Sequence, residues 1–401
     1  QPVDIHGKPY NRSLLVGVLL IGTFCTILNQ TLLTTALPTL MKEFDISASS
    51  VQWLTTGFLL VNGIMIPISA WLINKFSSKK LYITAMSTFL IGTIICFVAQ
   101  DFGMLLTGRL VQAAGVGVSM PLLQTIMLSI FPPEKRGATM GTTGIVIGLA
   151  PALGPTLSGW IIDSYTWRDL FGMVIPIVVL VLILASFLMK NVIQLSNPSI
   201  DVLSVILSTL GFGSLLYGFS SVGNKGWGSP QVYGFLIVGA IVLCLFTYRQ
   251  LHLEQPFLEL RVFKSKVFTV AAILSGVTNM AMIGAEMVLP LYIQNIRGES
   301  AFHSGLMLLP GALVMGLMMP VTGRIFDKIG ARRLAITGMF ILTAATLPFA
   351  FLTKATPIIY IIVLYAIRMF GISMVMMPVT TSGMNALPMN LLSHGTAVNN
   401  T

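Results

Sequence analysis

Twelve stretches of about twenty or more mostly apolar residues follow one another along the chain, each long enough to cross the hydrocarbon core of a bilayer as a helix. They lie near residues 13–40, 51–73, 81–99, 103–131, 138–162, 170–190, 199–222, 231–250, 268–296, 303–325, 333–352 and 357–388. Backbone groups in lipid have no water to bond, so a spanning segment must satisfy them internally, and stretches of this length do so as α-helices. Composition removes the soluble alternative. Only 9% of the 401 residues are charged and mean hydropathy is +0.88, whereas an ordinary soluble domain carries about 25% charged residues. A single soluble core of this size is also poor physics, because such cores stop growing near roughly 250–300 residues. The expected fold class is an all-α polytopic membrane protein.

The remaining charges are unevenly placed. With the N-terminus in the cytoplasm, sixteen of the 23 Lys and Arg residues fall in segments on that side and five on the other, while Arg109 and Arg368 lie within spans. Positive residues collect on the cytoplasmic side, so the net charge of +10 reads as topology. It does not read as nucleic-acid binding, since no basic stripe with interleaved aromatics occurs. The polar tail 1–12 has no cleavable signal pattern. Three cysteines, Cys25, Cys96 and Cys244, are dispersed in apolar runs and suggest packing, with neither a disulfide framework nor metal-ligand spacing. The histidines lie in tails or loops without ligand spacing. No phosphate loop and no nucleophile–base pair is found, so neither a metal, a cofactor nor an enzymatic activity is expected.

The chain contains a repeat. Ala70-Trp-Leu-Ile-Asn74-Lys75-Phe-Ser-Ser-Lys79-Lys80 resembles Gly323-Arg324-Ile-Phe-Asp327-Lys328-Ile-Gly330-Ala-Arg332-Arg333, and Arg109 follows the first as Arg368 follows the second. The offsets, 253 residues from Asn74 to Asp327 and 259 from Arg109 to Arg368, are nearly in register. The second turn resembles the signature loop of the major facilitator superfamily. Leu105-Leu-Thr-Gly-Arg109-Leu-Val-Gln112-Ala-Ala-Gly115-Val-Gly117 is similar to that family's fourth-helix motif. Gly144-Ile-Val-Ile-Gly148-Leu-Ala-Pro151-Ala-Leu-Gly154-Pro155-Thr-Leu-Ser-Gly159 resembles the fifth-helix motif of its drug:proton antiporters. Leu28-Asn29-Gln30-Thr31-Leu32-Leu33-Thr34-Thr35-Ala36-Leu37-Pro38 resembles the first-helix motif of the fourteen-helix branch. Trp167-Arg168-Asp169 and Arg368-Met-Phe-Gly371 agree with it too. Together these resemble bacterial lincomycin-resistance and multidrug exporters of that branch.

The resemblance implies two six-helix lobes with two inserted helices. Residues 1–12 form a cytoplasmic tail, 13–190 the first lobe, 191–266 the inserted pair with its linker, and 267–401 four of the six helices of the second lobe. By the repeat offset, that lobe would end near about residue 450, leaving its last two helices beyond Thr401. The resemblance further implies a monomer in the bacterial cell membrane that exchanges protons for small amphipathic or cationic drugs, with lipid as its surroundings. Two alternatives stay open: an exporter of a physiological lipid or metabolite, and a membrane sensor or scaffold that transports nothing.

Charged side chains at membrane depth are costly and usually functional. Glu286 is the candidate for proton coupling or cation binding, with Arg109 and Arg368 as modulating charges. Each could instead be satisfied within its own lobe, Glu286 by an Asn or Arg and Arg109 by helix carbonyls. Asn29, Gln30, Trp53, Asn62, Gln112, Gln124, Asn279 and Met282 are candidates for the cavity wall. Related exporters often carry an acid at the position of Asn29. The flexible thioethers crowded after residue 260 suit a surface that repacks around different ligands. By family resemblance, Asp327 with Arg324, Arg332 and Arg333 forms a conformational latch. The first copy, with Asn74 in place of Asp, is degraded. Gly148, Pro151, Gly154 and Pro155 read as a bent, close-packed pivot in the fifth helix.

Overall fold

The structure, a computed structural model, describes all residues except Gln1, Thr34 and Thr35, and all side chains except those of Ala152, Pro155, Met287, Pro290, Leu291, Gln294 and Ala301. Among the described residues, twelve helices are long and apolar enough to cross a membrane. The first lobe comprises α1 (Arg12–Leu32), α4 (Trp53–Lys75), α5 (Ser78–Phe97), α6 (Phe102–Ile130), α7 (Arg136–Ser164) and α8 (Arg168–Leu188). Two short helices, α2 (Leu37–Phe44) and α3 (Ala48–Val51), link α1 to α4. The inserted pair is α9 (Val202–Lys225) and α10 (Pro230–His252). The second lobe holds α11 (Lys266–Leu291), α12 (Ala301–Ile329), α13 (Ala331–Thr346), α14 (Ile358–Asn385) and α15 (Leu392–Asn400).

Two expectations are corrected. The first span is not continuous over 13–40, because α1 ends at Leu32 and Pro38 starts the separate helix α2, the position at which a missing N–H is tolerated. The second lobe contains a further short helix, α15, whose polar residues Ser393, His394, Thr396 and Asn400 hid it from an apolar count.

Side chains cap the spans where they leave the apolar zone. Asn11, Asp101, Ser265 and Ser300 accept hydrogen bonds from the backbone N–H groups of Leu14, Met104, Phe268 and His303 at the starts of α1, α6, α11 and α12. At the other end of α6, Arg12 donates to the Ile130 carbonyl at 3.2 Å and lies over the Phe131 ring, a cation at the negative helix terminus. Within the first lobe α6 packs on α4 and α5, and α1 on α7 and α8; within the second, α14 packs on α11, α12 and α13.

Two seams join the lobes, α7 against α12 and α15 against α4 and α6. The first is unusually close. A β-carbon on Gly323 would collide with the Gly137 carbonyl, and Gly141 and Gly144 likewise abut Met319. On another face of α7, Gly154 meets Thr31 of α1. Gly154→Ala is therefore expected to destabilise the detergent-purified protein by about 1–3 kcal/mol, as overpacking does. Adding Thr31→Ala should recover part of that loss in thermal unfolding followed by tryptophan fluorescence. No recovery would show that this contact is not the cause.

The inserted pair rides on the first lobe. Leu216 packs against Gly63 of α4, and Tyr217 stacks on Trp53 with ring centroids 5.8 Å apart. At its basic end Arg249 grips Asp201 with two bonds of 2.7 and 2.9 Å, and this holds the Asp201 carboxyl down to about 2. A depressed carboxyl stabilises the fold above its unfolded value, ordinarily 3.8, and loses that contribution as pH falls through the folded value. The stability difference between wild type and Asp201→Asn should thus stay constant from neutral pH to about 4 and collapse towards about 2. Thermal unfolding across that range checks it.

Candidate functional site

In the first lobe, one guanidinium organises a polar cluster inside apolar helices. Arg109, on α6, is 1% exposed. Its Nε donates to the Leu54 carbonyl at 3.3 Å and its Nη1 to Gln112 Oε1 at 3.1 Å, while the guanidinium lies over the Phe58 ring, 4.3 Å from the centroid. Gln112 Oε1 also accepts from Asn29 Nδ2 at 3.2 Å, and Gln112 Nε2 donates to Thr93 Oγ1 at 2.8 Å. Asn29, Arg109 and Gln112 thus form one site across α1, α4, α5 and α6. Among the described residues no carboxylate bonds to it. Carbonyl, amide and ring dipoles compensate the buried charge in place of an ion pair.

The second lobe repeats the guanidinium and adds an acid. Arg368, on α14, is 3% exposed; its Nε donates to Thr346 Oγ1 at 3.0 Å and its Nη2 to the Ala281 carbonyl. Its Nη1 is buried with no hydrogen-bond partner among the described residues. Glu286, half-buried near the end of α11, makes no hydrogen bond or ion pair among the described residues. It lies within electrostatic reach of Arg368 and Tyr365. A carboxylate and an unfilled guanidinium N–H therefore face the same region of the lobe. Met282, one turn before Glu286, is buried. Asn279 is exposed and its amide donates to the Ser275 carbonyl of its own helix at 3.0 Å.

At the basic face the lobes are clasped. Asp327, in the last turn of α12, accepts from the backbone N–H groups of Gly137 at 2.9 Å and Ala138 at 3.1 Å. The helix α7 has no side-chain cap of its own, so the opposite lobe supplies one, with a carboxylate at the positive helix terminus. Arg324, Arg332 and Arg333 do not join this latch. They are exposed and make no hydrogen bond or ion pair among the described residues. The cation that does span the lobes is Arg136, which donates to the Leu128 carbonyl at 3.0 Å and to Asn385 Oδ1 of α14 at 2.9 Å. A cation in the first turn of a helix opposes the dipole; that anomaly was its one sequence signal.

The degraded copy is also engaged. Asn74 Oδ1 accepts from Ser393 Oγ at 2.7 Å and its amide nitrogen pairs with His394 Nε2 at 3.2 Å. His394 is thus half-buried on α15 instead of lying in a loop, and its Nδ1 accepts from the Glu259 backbone N–H at 3.0 Å. Thr125 bonds Thr396 at 2.8 Å and Asn400 donates to Gln124 Oε1 at 2.7 Å, which puts Gln124 in the seam between α6 and α15.

A repeat of two helix bundles, clasped at one face by Asp327 on the fifth helix of the other bundle, is joined by a match to the family profile of the Major Facilitator Superfamily over residues 19–401. This chain belongs to the major facilitator superfamily. It is 56% identical to the uncharacterized MFS-type transporter YcnB of Bacillus subtilis, over 99% of this chain and 84% of that protein. It is 44% identical to the lincomycin resistance protein LmrB of the same organism, over 97% and 81%, and 28% identical to the multidrug export protein EmrB of Haemophilus influenzae, over 96% and 76%. The proton:xylose symporter XylE shares its fold, with a TM-score of 0.68 at 15% identity over 97% of this chain and 86% of that one. The chain is a multi-pass membrane transporter.

The other candidate residues of this transporter are dispersed. Trp53 stacks on the inserted pair and Asn62 packs beside Gly117 of α6, so neither joins the Arg109 cluster. Gln30 is half-buried and makes no hydrogen bond among the described residues. Gly148 meets Met315 of α12, and Pro151 lies in the continuous helix α7 between that contact and the one made by Gly154; the Pro155 side chain lies outside the described residues. Met315 and Met319 fill the seam against α7, away from Glu286.

Proposed function

We propose that this transporter exports amphipathic or cationic drugs in exchange for protons, by rocking its two lobes about a site near the middle of the bilayer. The observation that carries the reading is the free pair in the second lobe: Glu286 without a hydrogen bond and Arg368 Nη1 without a partner among the described residues. One carboxylate can hold a proton, a drug cation or the Arg368 guanidinium, but it serves one at a time. Protonation then releases the drug, and drug binding displaces the proton. Relatives named for lincomycin resistance and multidrug export support the substrate class. The excess of Lys and Arg on the face that carries the N-terminus supports a cytoplasmic N-terminus in a bacterial cell membrane. On this reading the clasped face is the cytoplasmic one, and the clasp by Asp327 supports a state closed to the cytoplasm. The protein acts as a monomer, each chain carrying its own cavity.

The test is reconstitution into liposomes with an acidic lumen. Lincomycin or ethidium is expected to accumulate inside against its gradient, and dissipating the pH difference with nigericin should stop it. Export of a lipid with no drug movement would replace this reading, and movement of nothing under any gradient would leave a non-transporting protein.

A further inference from the structure

Beside the transport path, the inserted pair carries a groove that none of the helix packing fills. It runs along the last turns of α10, with Leu243, Thr247 and Leu251 on its wall, and continues past Phe263 to Arg261 and Lys264 on the linker before α11. Two adjoining shallow hollows of about 440 and 380 Å³ share Thr247 and Leu251, so they form one elongated depression open to the surface. Its chemistry changes along its length. The α10 portion belongs to a membrane-spanning helix and is apolar, while the far end lies outside any span and is basic.

The basic end is lined by Arg261 and Lys264, with Lys266 two residues further along at the start of α11. Arg261 is committed, donating to the carbonyls of Leu251 at 2.8 Å and Leu253 at 3.3 Å, with Glu259 3.5 Å away. Lys264 and the neighbouring Lys266 are exposed and make no hydrogen bond or ion pair among the described residues. Glu259 is occupied by Arg261.

We infer that this groove is a binding site for one anionic glycerophospholipid, its phosphate between Lys264 and Lys266 and one acyl chain along Leu243, Thr247 and Leu251. An apolar groove that turns basic where the helix leaves the hydrocarbon zone matches the amphipathic shape of a phospholipid, and two unpaired ammonium groups match its negative charge. The bound lipid would splint α10 to the linker that enters the second lobe. The inference is independent of which solute the protein moves and of whether protons drive it.

Lipid occupancy can be read by native mass spectrometry of the full-length protein released from nanodiscs of mixed phosphatidylglycerol and phosphatidylcholine. Wild type is expected to retain one phosphatidylglycerol, preferred over phosphatidylcholine by about thirtyfold, the preference two lysines near a membrane surface supply. Lys264→Gln/Lys266→Gln should remove the preference, and Thr247→Trp, which fills the groove and leaves both lysines, should remove the retained lipid. Lys354→Gln, a cation at the opposite face, should behave as wild type and serves as the control for folding. Equal retention of the two lipids by wild type, or undiminished retention in Thr247→Trp, would overturn the site, as would displacement of the lipid by inorganic phosphate.

Discussion

Gly323→Leu is expected to abolish export while leaving the protein inserted and folded in each lobe. The two glycines at the basic end of the α7–α12 seam bring backbone against backbone, so a side chain on Gly323 meets the Gly137 carbonyl and the Cα of Ala138, neither of which can rotate away. The three atoms nearest to a β-carbon there all belong to α7 of the other lobe, so the obstruction lies at the closed face. Overpacking of this kind costs about 3 kcal/mol at its upper range, enough to shift a two-state equilibrium by about two orders of magnitude. Asp327→Asn should act in the same direction and more weakly. It keeps an acceptor for the Gly137 N–H and loses the charge at the α7 terminus, a difference of about 1 kcal/mol or several-fold in population. Accessibility of a cysteine placed at Ala138 to a water-soluble maleimide reads both. Labelling should rise in the order wild type, Asp327→Asn, Gly323→Leu. Equal labelling in all three would mean that this seam does not govern opening.

Arg368→Met is the second substitution of large expected effect. It removes the donor to the Ala281 carbonyl and to Thr346, and it takes away the buried guanidinium within electrostatic reach of the half-buried Glu286. Hydrogen bonds made by a charged group contribute about 1.5–3 kcal/mol each, so losing both should lower export by at least about a hundredfold. Arg368→Lys keeps the charge but cannot span Thr346 and Ala281 together, since an ammonium lacks the planar fork. It should fall between wild type and Arg368→Met in transport rate, with drug binding measured separately to divide the effect. Equal rates for Met and Lys would mean that geometry, and not charge, is what the position supplies.

These two sites differ in how far they could be read before the fold was known. Hydropathy gave the spans almost residue by residue, because lipid permits few other ways to satisfy a backbone. It misread residues 33–40, where an apolar run continues past a proline that starts a new helix, and it passed over α15, whose polar residues pair with the other lobe instead of facing lipid. Asp327 was legible from its repeat, but its partners were not: Gly137 and Ala138 lie 190 and 189 residues away, and no local pattern links them. The neighbouring arginines share the motif without sharing the contact, since a string of letters does not say which side chains face the seam. Asn29 and Gln112, 83 residues apart, are both legible as candidates for the cavity wall, yet their direct hydrogen bond, and the Arg109 that shares it, need the packing of α1 on α6. Trp53 shows the opposite case, an aromatic residue near a polar helix face that turns outwards to hold the inserted pair.

Glu286 is the group proposed to carry the exchanged proton. That role is tested most directly by proton release on drug binding, followed with a pH-sensitive dye in lightly buffered solution, for wild type and Glu286→Gln at equal drug occupancy. Wild type should release protons when drug binds, and Glu286→Gln should bind drug without releasing any. Proton release by Glu286→Gln equal to that of wild type would contradict the account and move the coupling site elsewhere in the protein.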